Sequence, residues 1–399
     1  MPTYRYTAKG MTGETAHGTL VVANQGMVLE ALRKQGLVVI GIQEVTSQRG
    51  RGLGGVKLED LVIFSRQLAT LVDAGIPLVT SLDTLHAQIE KPGLRGVIGR
   101  VRDDVEGGTN FTEALGKHPH VFSNLFVSMV KAGEASGTLA EILDRLATYL
   151  EKSSALERKV RSSLVYPAVV ICMAGSITML LVLKVVPTFK GIFASLGGEL
   201  PLPTQILLGF SDFCQQYFLL GVGMIAGVVY GLRRYARTPV GRLQIDALLL
   251  KLPVFGILMR KVAIARFSRT LTTLTKSGVA ILAALEIVGK TAGNTVVERA
   301  VERVRASIRE GENIAGPLGA SGIFPPLVVR MVGVGEQTGQ LEKMLTKIAD
   351  FYESEVDTAV GSLTSIIEPL IIAVLGVVVG GIVIAIFLPI VKVTQYLGH

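Results

Sequence analysis

Cysteine, histidine and charge are all scarce in this 399-residue chain, and each scarcity closes off a class of function. The two cysteines, Cys172 and Cys214, stand in apolar runs, so neither a disulfide framework nor a thiolate metal site is available. The five histidines (His17, His86, His118, His120, His399) are scattered and form no H-E-x-x-H, which leaves a metal site or proton relay without support; no cofactor is expected. Charged residues make up 18% of the chain against 49% hydrophobic ones, and the mean hydropathy of +0.50 does not fit a protein whose whole surface faces water. A soluble enzyme is thereby disfavoured.

What the chain does hold is long apolar runs. About 20 uncharged residues at 1.5 Å rise per residue cross a hydrocarbon layer about 30 Å thick, and three windows qualify: Leu164 to Leu183, Phe213 to Leu232 and Pro369 to Val391. Gln215 and Gln216 dilute the middle one. Met1 opens a polar stretch without the basic start and apolar block of a signal peptide, so the amino end is expected in the cytoplasm. The net charge of +8 is localised: Arg233 to Lys276 carries ten basic residues against Asp246 alone, whereas Lys184 to Asp212 is neutral. A basic stretch starting at the end of a span reads as a cytoplasmic flank facing anionic lipid. Aromatic content of 6% and the lack of a nucleic-acid-binding pattern beside those bases argue against nucleic acid.

The chain is also duplicated. Phe64-Ser65-Arg66 recurs as Phe267-Ser268-Arg269, and the same offset of 203 maps Leu68 to Leu271, Gly75 to Gly278, Gly108 to Gly311 and Asn110 to Asn313. One deletion later the offset is 202, mapping Gly133 to Gly335, Glu134 to Glu336, Gly137 to Gly339, Glu151 to Glu353 and Pro167 to Pro369. Each copy is a cytoplasmic segment followed by a span, and both enter the membrane from the same side. The unmatched second span returns the chain between them, so the repeat is parallel, which disfavours an inverted-repeat transporter. Apolar residues at helical spacing, separated by Gly, Asn or Pro, predict an all-helical bundle of about 100 residues in each copy. Ahead of them, Tyr4, Tyr6, a turn over 9–13 and Gly18 to Val22 suggest a hairpin; 24–35 reads as a helix and Leu37 to Ile42 as a third strand.

Several motifs admit a chemical and a plain reading. Gly289-Lys290-Thr291 resembles the end of a phosphate loop, but Ala284 stands where the first glycine belongs and a helix precedes it. Gly133-Glu134-Ala135-Ser136-Gly137 and Gly335-Glu336-Gln337-Thr338-Gly339 are either partner contacts through the glutamates or tight turns between helices. Glu368, ahead of Pro369, fits the positive end of a helix starting there better than a proton path. Gly223, Gly227 and Gly231, and Gly376 and Gly380, present small faces suited to transmembrane packing against protein. Asp103, Asp104 and Glu106 read as a solvated acidic face.

Two helical repeats, three spans and a small amino-terminal module resemble the PilC/GspF family, the inner-membrane platform proteins of type IV pilus and type II secretion machines. The resemblance rests on Leu-Ala-Thr-Leu-Val-Asp-Ala-Gly-Ile-Pro-Leu (68 to 78), Met-Val-Lys-Ala-Gly-Glu-Ala-Ser-Gly-Thr-Leu (129 to 139), Leu-Val-Tyr-Pro (164 to 167) and Glu-Pro-Leu-Ile-Ile (368 to 372). The run from Val378 to Pro389 and Lys290-Thr291-Ala292-Gly293-Asn294 look more like the pilus branch. The resemblance implies a non-enzymatic scaffold of the bacterial inner membrane, partnered by a cytoplasmic hexameric pilus ATPase, pilins, other inner-membrane assembly proteins and lipid, and assembled as a homo-oligomer. A type II secretion platform is the alternative within the family, and a transporter or channel subunit the alternative outside it.

The expected architecture is thus an all-α membrane protein with a small α+β amino-terminal module. It comprises that module (1–45), a linker (46–56), a first cytoplasmic bundle (57–163), a span (164–187) and a periplasmic loop (188–212). A second span (213–232), a second cytoplasmic bundle (233–365), a third span (366–391) and a periplasmic tail (392–399) follow.

Overall fold

The computed structural model describes residues 3–9, 15–21, 29, 38–45, 56–185, 187, 188, 202–253 and 255–397. The chain divides into two units, Met1–Val56 with Glu90–Gly96, and Lys57–Ile89 with Val97–His399.

In the first unit, β1 (Thr3–Lys9), β2 (Thr15–Val21) and β3 (Val38–Val45) form an antiparallel sheet in the order β2-β1-β3. Tyr4 pairs with Leu20 and Tyr6 with both Gly18 and Ile42; the register slips between Thr7 and Ala8, leaving Ile40 over. The helix expected over 24–35, apart from Leu29, the turn after Lys9 and the linker before Val56 lie outside the described residues.

The duplication appears as one helix order used twice. The first copy runs α1 (Leu58–Asp73), α2 (Leu78–Gln88), α3 (Pro92–Glu106), α4 (Phe111–Gly116), α5 (Asn124–Ser136) and α6 (Leu139–Leu180). After α7 (Leu202–Ala236) and α8 (Pro239–Lys251), the second copy runs α9 (Phe255–Lys276), α10 (Ile281–Thr291), α11 (Thr295–Arg309), α12 (Ala315–Ala320), α13 (Pro326–Gln337) and α14 (Leu341–Leu397). Each helix therefore has its counterpart eight elements later. The apolar spacing works the same way in both: Val97, Ile98 and Val101 are buried in α3, and Ala300, Val301 and Val304 in α11. Phe64 and Phe122 stack with ring centroids 6.4 Å apart, and their counterparts Phe267 and Phe324 stand at 4.8 Å, so one aromatic pair anchors each core.

Two boundaries differ from the sequence reading. The last bundle helix and the span after it were expected as separate elements; α6 has 42 residues and α14 has 57, each joining bundle and apolar segment without a break. Nothing between Arg161 and Leu164 stops a helix, and Pro167 is accommodated inside one. The outer loop expected over 188–212 is helical from Leu202, and α14 continues through the expected tail to Leu397; residues 189–201 lie outside the described set.

Two of these helices, over Leu139–Val185 and Leu341–Ala385, are long and apolar enough to cross a membrane. Their large side chains point outward, Ile171 at 59% exposure and Val377 at 76%. Beyond α6, residues Leu181–Val185 make a π-helical turn. Such a turn loosens the regular ladder, and neighbouring α7 satisfies its carbonyls: Ser211 Oγ donates to the Val182 carbonyl at 2.6 Å and Gln215 Nε2 to that of Leu183 at 3.1 Å. Thr204 Oγ1 donates to the Ala385 carbonyl at 2.6 Å, tying α7 to α14 as well.

The two copies meet along α6 and α14, with α6 also against α9. Arg145 donates to the carbonyl of Lys276, the Tyr149 hydroxyl lies 3.1 Å from Thr270 Oγ1, and Lys159 Nζ is 2.5 Å from Asp357. Burial pushes the Tyr149 phenol up.

Truncating either anchoring ring leaves a cavity the bundle cannot close. Phe64→Ala and Phe267→Ala are each expected to cost about 3–5 kcal/mol, read as a lowered unfolding midpoint of the purified chain; a loss under about 1 kcal/mol would place the ring outside a packed core.

Candidate functional site

The strongest polar signal in the sequence is built on one plan in the two copies. Glu134, on α5, turns its carboxylate onto the first turn of α4: Oε1 accepts from the Phe111 amide at 2.8 Å and Oε2 from the Thr112 amide at 3.0 Å, with the Thr112 hydroxyl also donating. Glu336, on α13, does the same for α12, accepting from the Ile314 amide and, at 3.0 Å, from the Ala315 amide. A helix start leaves amides without intrahelical partners, and here a carboxylate from a helix about 22 residues away supplies them. Both glutamates are half-buried.

The glycines around them divide the remaining work. Gly137 and Gly339 close α5 and α13 with φ of 72° and 68°, a left-handed backbone that a side chain strains. Gly133 and Gly335 are where α5 meets α6 and α13 meets α14: a Cβ on Gly133 would lie 3.0 Å from Ile142 Cβ, and one on Gly335 2.9 Å from Leu341 Cα. The glycines thus make the tight turns, while the glutamates hold the next layer of the bundle. Beside each glutamate opens a groove, about 710 Å³ in the first copy, with Asn110, Lys131 and Glu134, and about 620 Å³ in the second, with Glu312, Asn313 and Glu336.

A second duplicated site escaped the sequence reading, although both partners lay in register. Arg66 forks onto Glu151, with Nε at 2.6 Å and Nη2 at 2.7 Å, and reaches Asp144 at 2.5 Å and Thr148 at 2.9 Å. Arg269 repeats this on Glu353 at 2.6 and 2.7 Å and on Asp350 at 2.5 Å. The clamps tie α1 to α6 and α9 to α14, pinning the first helix of each copy to its long last helix. The Arg66 guanidinium holds the Glu151 carboxyl below the usual carboxylate range, against a smaller opposing effect of burial. Burial works against the Arg269 charge, yet Glu353 and Asp350 together hold its pKa above the ordinary value.

The other motifs fall into plainer places. Gly289-Lys290-Thr291 is the last turn of α10, and Lys290 pairs with Glu286 at 3.1 Å, which also takes Arg305 at 2.6 Å. In the acidic cluster, Asp103 pairs with Arg102 at 2.7 Å and Asp104 with Lys117 at 3.0 Å. Glu368 does not sit at a helix start, as its dipole rationale required, because α14 runs through it. Among the described residues, a Cβ on Gly223, Gly227, Gly231, Gly376 or Gly380 would meet no atom within 4 Å, so these small faces are uncovered within the chain. No group of His, Cys, Asp and Glu able to hold a metal occurs among the described residues.

Comparison with known proteins supplies the context. The family model described as type II secretion system (T2SS), protein F, matches residues 64–187 and again 267–389, and its N-terminal domain model matches 1–43. The chain is 45% identical over 391 residues to the type IV pilus assembly protein PilC of Myxococcus xanthus, covering 97% of this chain and 94% of that one. It is 45% identical over 404 residues to PilC of Thermus thermophilus, covering 98% of each, and 35% identical over 409 residues to type II secretion system protein F of Vibrio cholerae, covering all of both.

Glu134→Ala and Glu336→Ala each orphan amides at a helix start and are expected to cost about 1–3 kcal/mol, with Glu→Gln losing less because one oxygen remains to accept. Chemical denaturation of the purified variants decides it; alanine variants as stable as the parent would leave the glutamates without this capping role. The clamp carries a pH dependence of definite sign. Glu151 has a lowered pKa in the folded chain, so its contribution is present above the ordinary carboxylate range and lost as the pH falls through the lowered value. Arg66→Ala is expected to remove that part of the acid sensitivity. Arg269→Ala is expected to destabilise more, since Arg269 is 13% exposed and Arg66 35%.

Proposed function

The chain belongs to the type II secretion system protein F family, and on that premise we propose that it is the inner-membrane platform of a type IV pilus assembly machine, coupling a cytoplasmic hexameric ATPase to the insertion or removal of pilins. The observation that carries the reading is the union of bundle and apolar segment in α6 and again in α14. A helix that belongs to both compartments passes displacement from one to the other. The pilus branch is favoured because the two relatives at 45% identity are named for pilus assembly, whereas the Vibrio cholerae secretion protein stands at 35%. That relative's full coverage keeps secretion as the second reading.

In this proposal the chain is not an enzyme and carries no cofactor. A transporter or channel subunit would keep polar side chains for its cargo; here Thr204, Ser211, Gln215 and Ser176 donate to backbone carbonyls instead. The apolar parts of α6, α7 and α14 serve as three spans, with the amino end and both bundles cytoplasmic, 188–201 and the carboxyl end periplasmic, and an α+β amino-terminal module. The uncovered glycine faces of α7 and α14 pack against protein outside the chain. The basic stretch Arg233 to Lys276 supports the orientation.

Two measurements test this. Without the chain, surface pili are expected to vanish while pilin persists in the membrane; unchanged piliation overturns the pilus reading, and lost exoprotein secretion in its place supports the second. For the topology, a membrane-impermeant thiol reagent on intact cells is expected to modify Ser195→Cys and not the exposed Glu302→Cys, and reversed labelling inverts the orientation.

A further inference from the structure

A fold built twice in one chain shows every surface in two settings, and comparing them reveals which surface lacks its occupant. Within the chain, α6 of the first copy presents Arg145 and Tyr149 to Lys276 and Thr270 on α9 of the second. If the copies were related by a two-fold axis, the reciprocal contact would exist. Phe351, which occupies the position of Tyr149, would lie on Gln67, which occupies that of Thr270. It does not: α14 has no packing against α1 comparable to that of α6 against α9, Phe351 is 46% exposed, and Gln67 is exposed. Beside the packing of the equivalent helices α6 and α14, the α6–α9 contact is therefore heterologous, using one face of the first copy and a different face of the second.

Each copy therefore keeps the face that the other has used. The second retains Lys347 and Phe351 on α14, at the positions of Arg145 and Tyr149; both are exposed. The first retains Ile63, Gln67 and Asp73 on α1, at the positions of Arg266, Thr270 and Lys276, exposed as well, with Ile63 at 58%. The substitutions between the two settings suit a second such contact. Arg145 reaches the Lys276 carbonyl, and in the unused pair a cation, Lys347, faces the position of an anion, Asp73. The aromatic ring is kept as Phe351, and Arg266, whose charge acts on Tyr149, is replaced by Ile63, so two exposed apolar side chains occupy the unused pair of faces.

We propose that the second bundle of one chain docks, head to tail, on the first bundle of another copy of the same chain, with Phe351 and Lys347 of one seated on Ile63, Gln67 and Asp73 of the next. The contact repeats between chains the interface already made within each, and it gives the expected homo-oligomer its surface. It rests on the duplication and not on the platform reading, so its readout is kept apart from piliation.

The test uses full-length chains in native membranes with Cys172→Ser and Cys214→Ser. One tagged chain carries Gln67→Cys and a differently tagged chain Phe351→Cys, while Tyr149→Cys with Thr270→Cys in a single chain serves as the internal geometric control. Mild oxidation is expected to yield a dimer bearing both tags, lost when the second chain also carries Lys347→Glu and regained when the first then carries Asp73→Lys. Absence of the mixed dimer while the control closes overturns the proposal. So does efficient self-coupling of the Phe351→Cys chain alone, which marks a like-to-like contact, and so does a Lys347→Glu chain that couples as well as its parent.

Discussion

Everything in the helical unit hangs on the demand placed on α6 and α14, each of which must satisfy two environments along a single helix. Toward its amino end, α6 packs Leu143, Leu146 and Leu150 into a bundle; beyond Pro167 it turns Val169, Ile171 and Met173 outward. A backbone that leaves aqueous packing for apolar surroundings has to keep every hydrogen bond within itself, and an uninterrupted helix does so without a transition. Where regularity lapses, in the π-helical turn after Leu180, side chains of α7 fill in at once. The bundles are organised by the same demand. An arginine fork fixes the first helix of each copy to the long one, and a glycine lets the fifth helix come close to it.

The two copies show what that arrangement requires and what it leaves open. The aromatic pair, the arginine fork, the carboxylate on the short helix and the left-handed glycine at the end of the fifth helix recur position for position. The surroundings have drifted: Asp350 takes the place of Thr148 beside the fork, and Thr346 that of Asp144, so a charge has migrated one turn along the helix while the guanidinium keeps two anionic partners. Outer faces have diverged further, as Tyr149 and Phe351 show. Interior geometry is shared because a close approach of about 3 Å tolerates no added atom; a surface answers only to whatever touches it.

This division also explains what could be read from the chain before its structure. The helical bundle of each copy was legible because core positions and turn glycines recur at fixed offsets. The helix break expected with the change of polarity at Leu164 is absent, because a helix ends only where its hydrogen bonds do. Glu134 and Glu336 were marked, but as contacts or turn residues; their carboxylates act on amides 22 residues upstream, and no local pattern encodes that reach. Arg66 and Glu151 were each in register with their counterparts and could have been joined by asking which duplicated charges oppose one another.

At 1.5 Å per residue, α6 is about 63 Å long and α14 about 86 Å. The two lie packed against each other along part of that length. Pro167 and Pro369 occupy equivalent positions in the two helices, each removing one backbone hydrogen bond from its own ladder. Bending stiffness is lowered there, so each of the two long helices has its softest point at the same distance from its start.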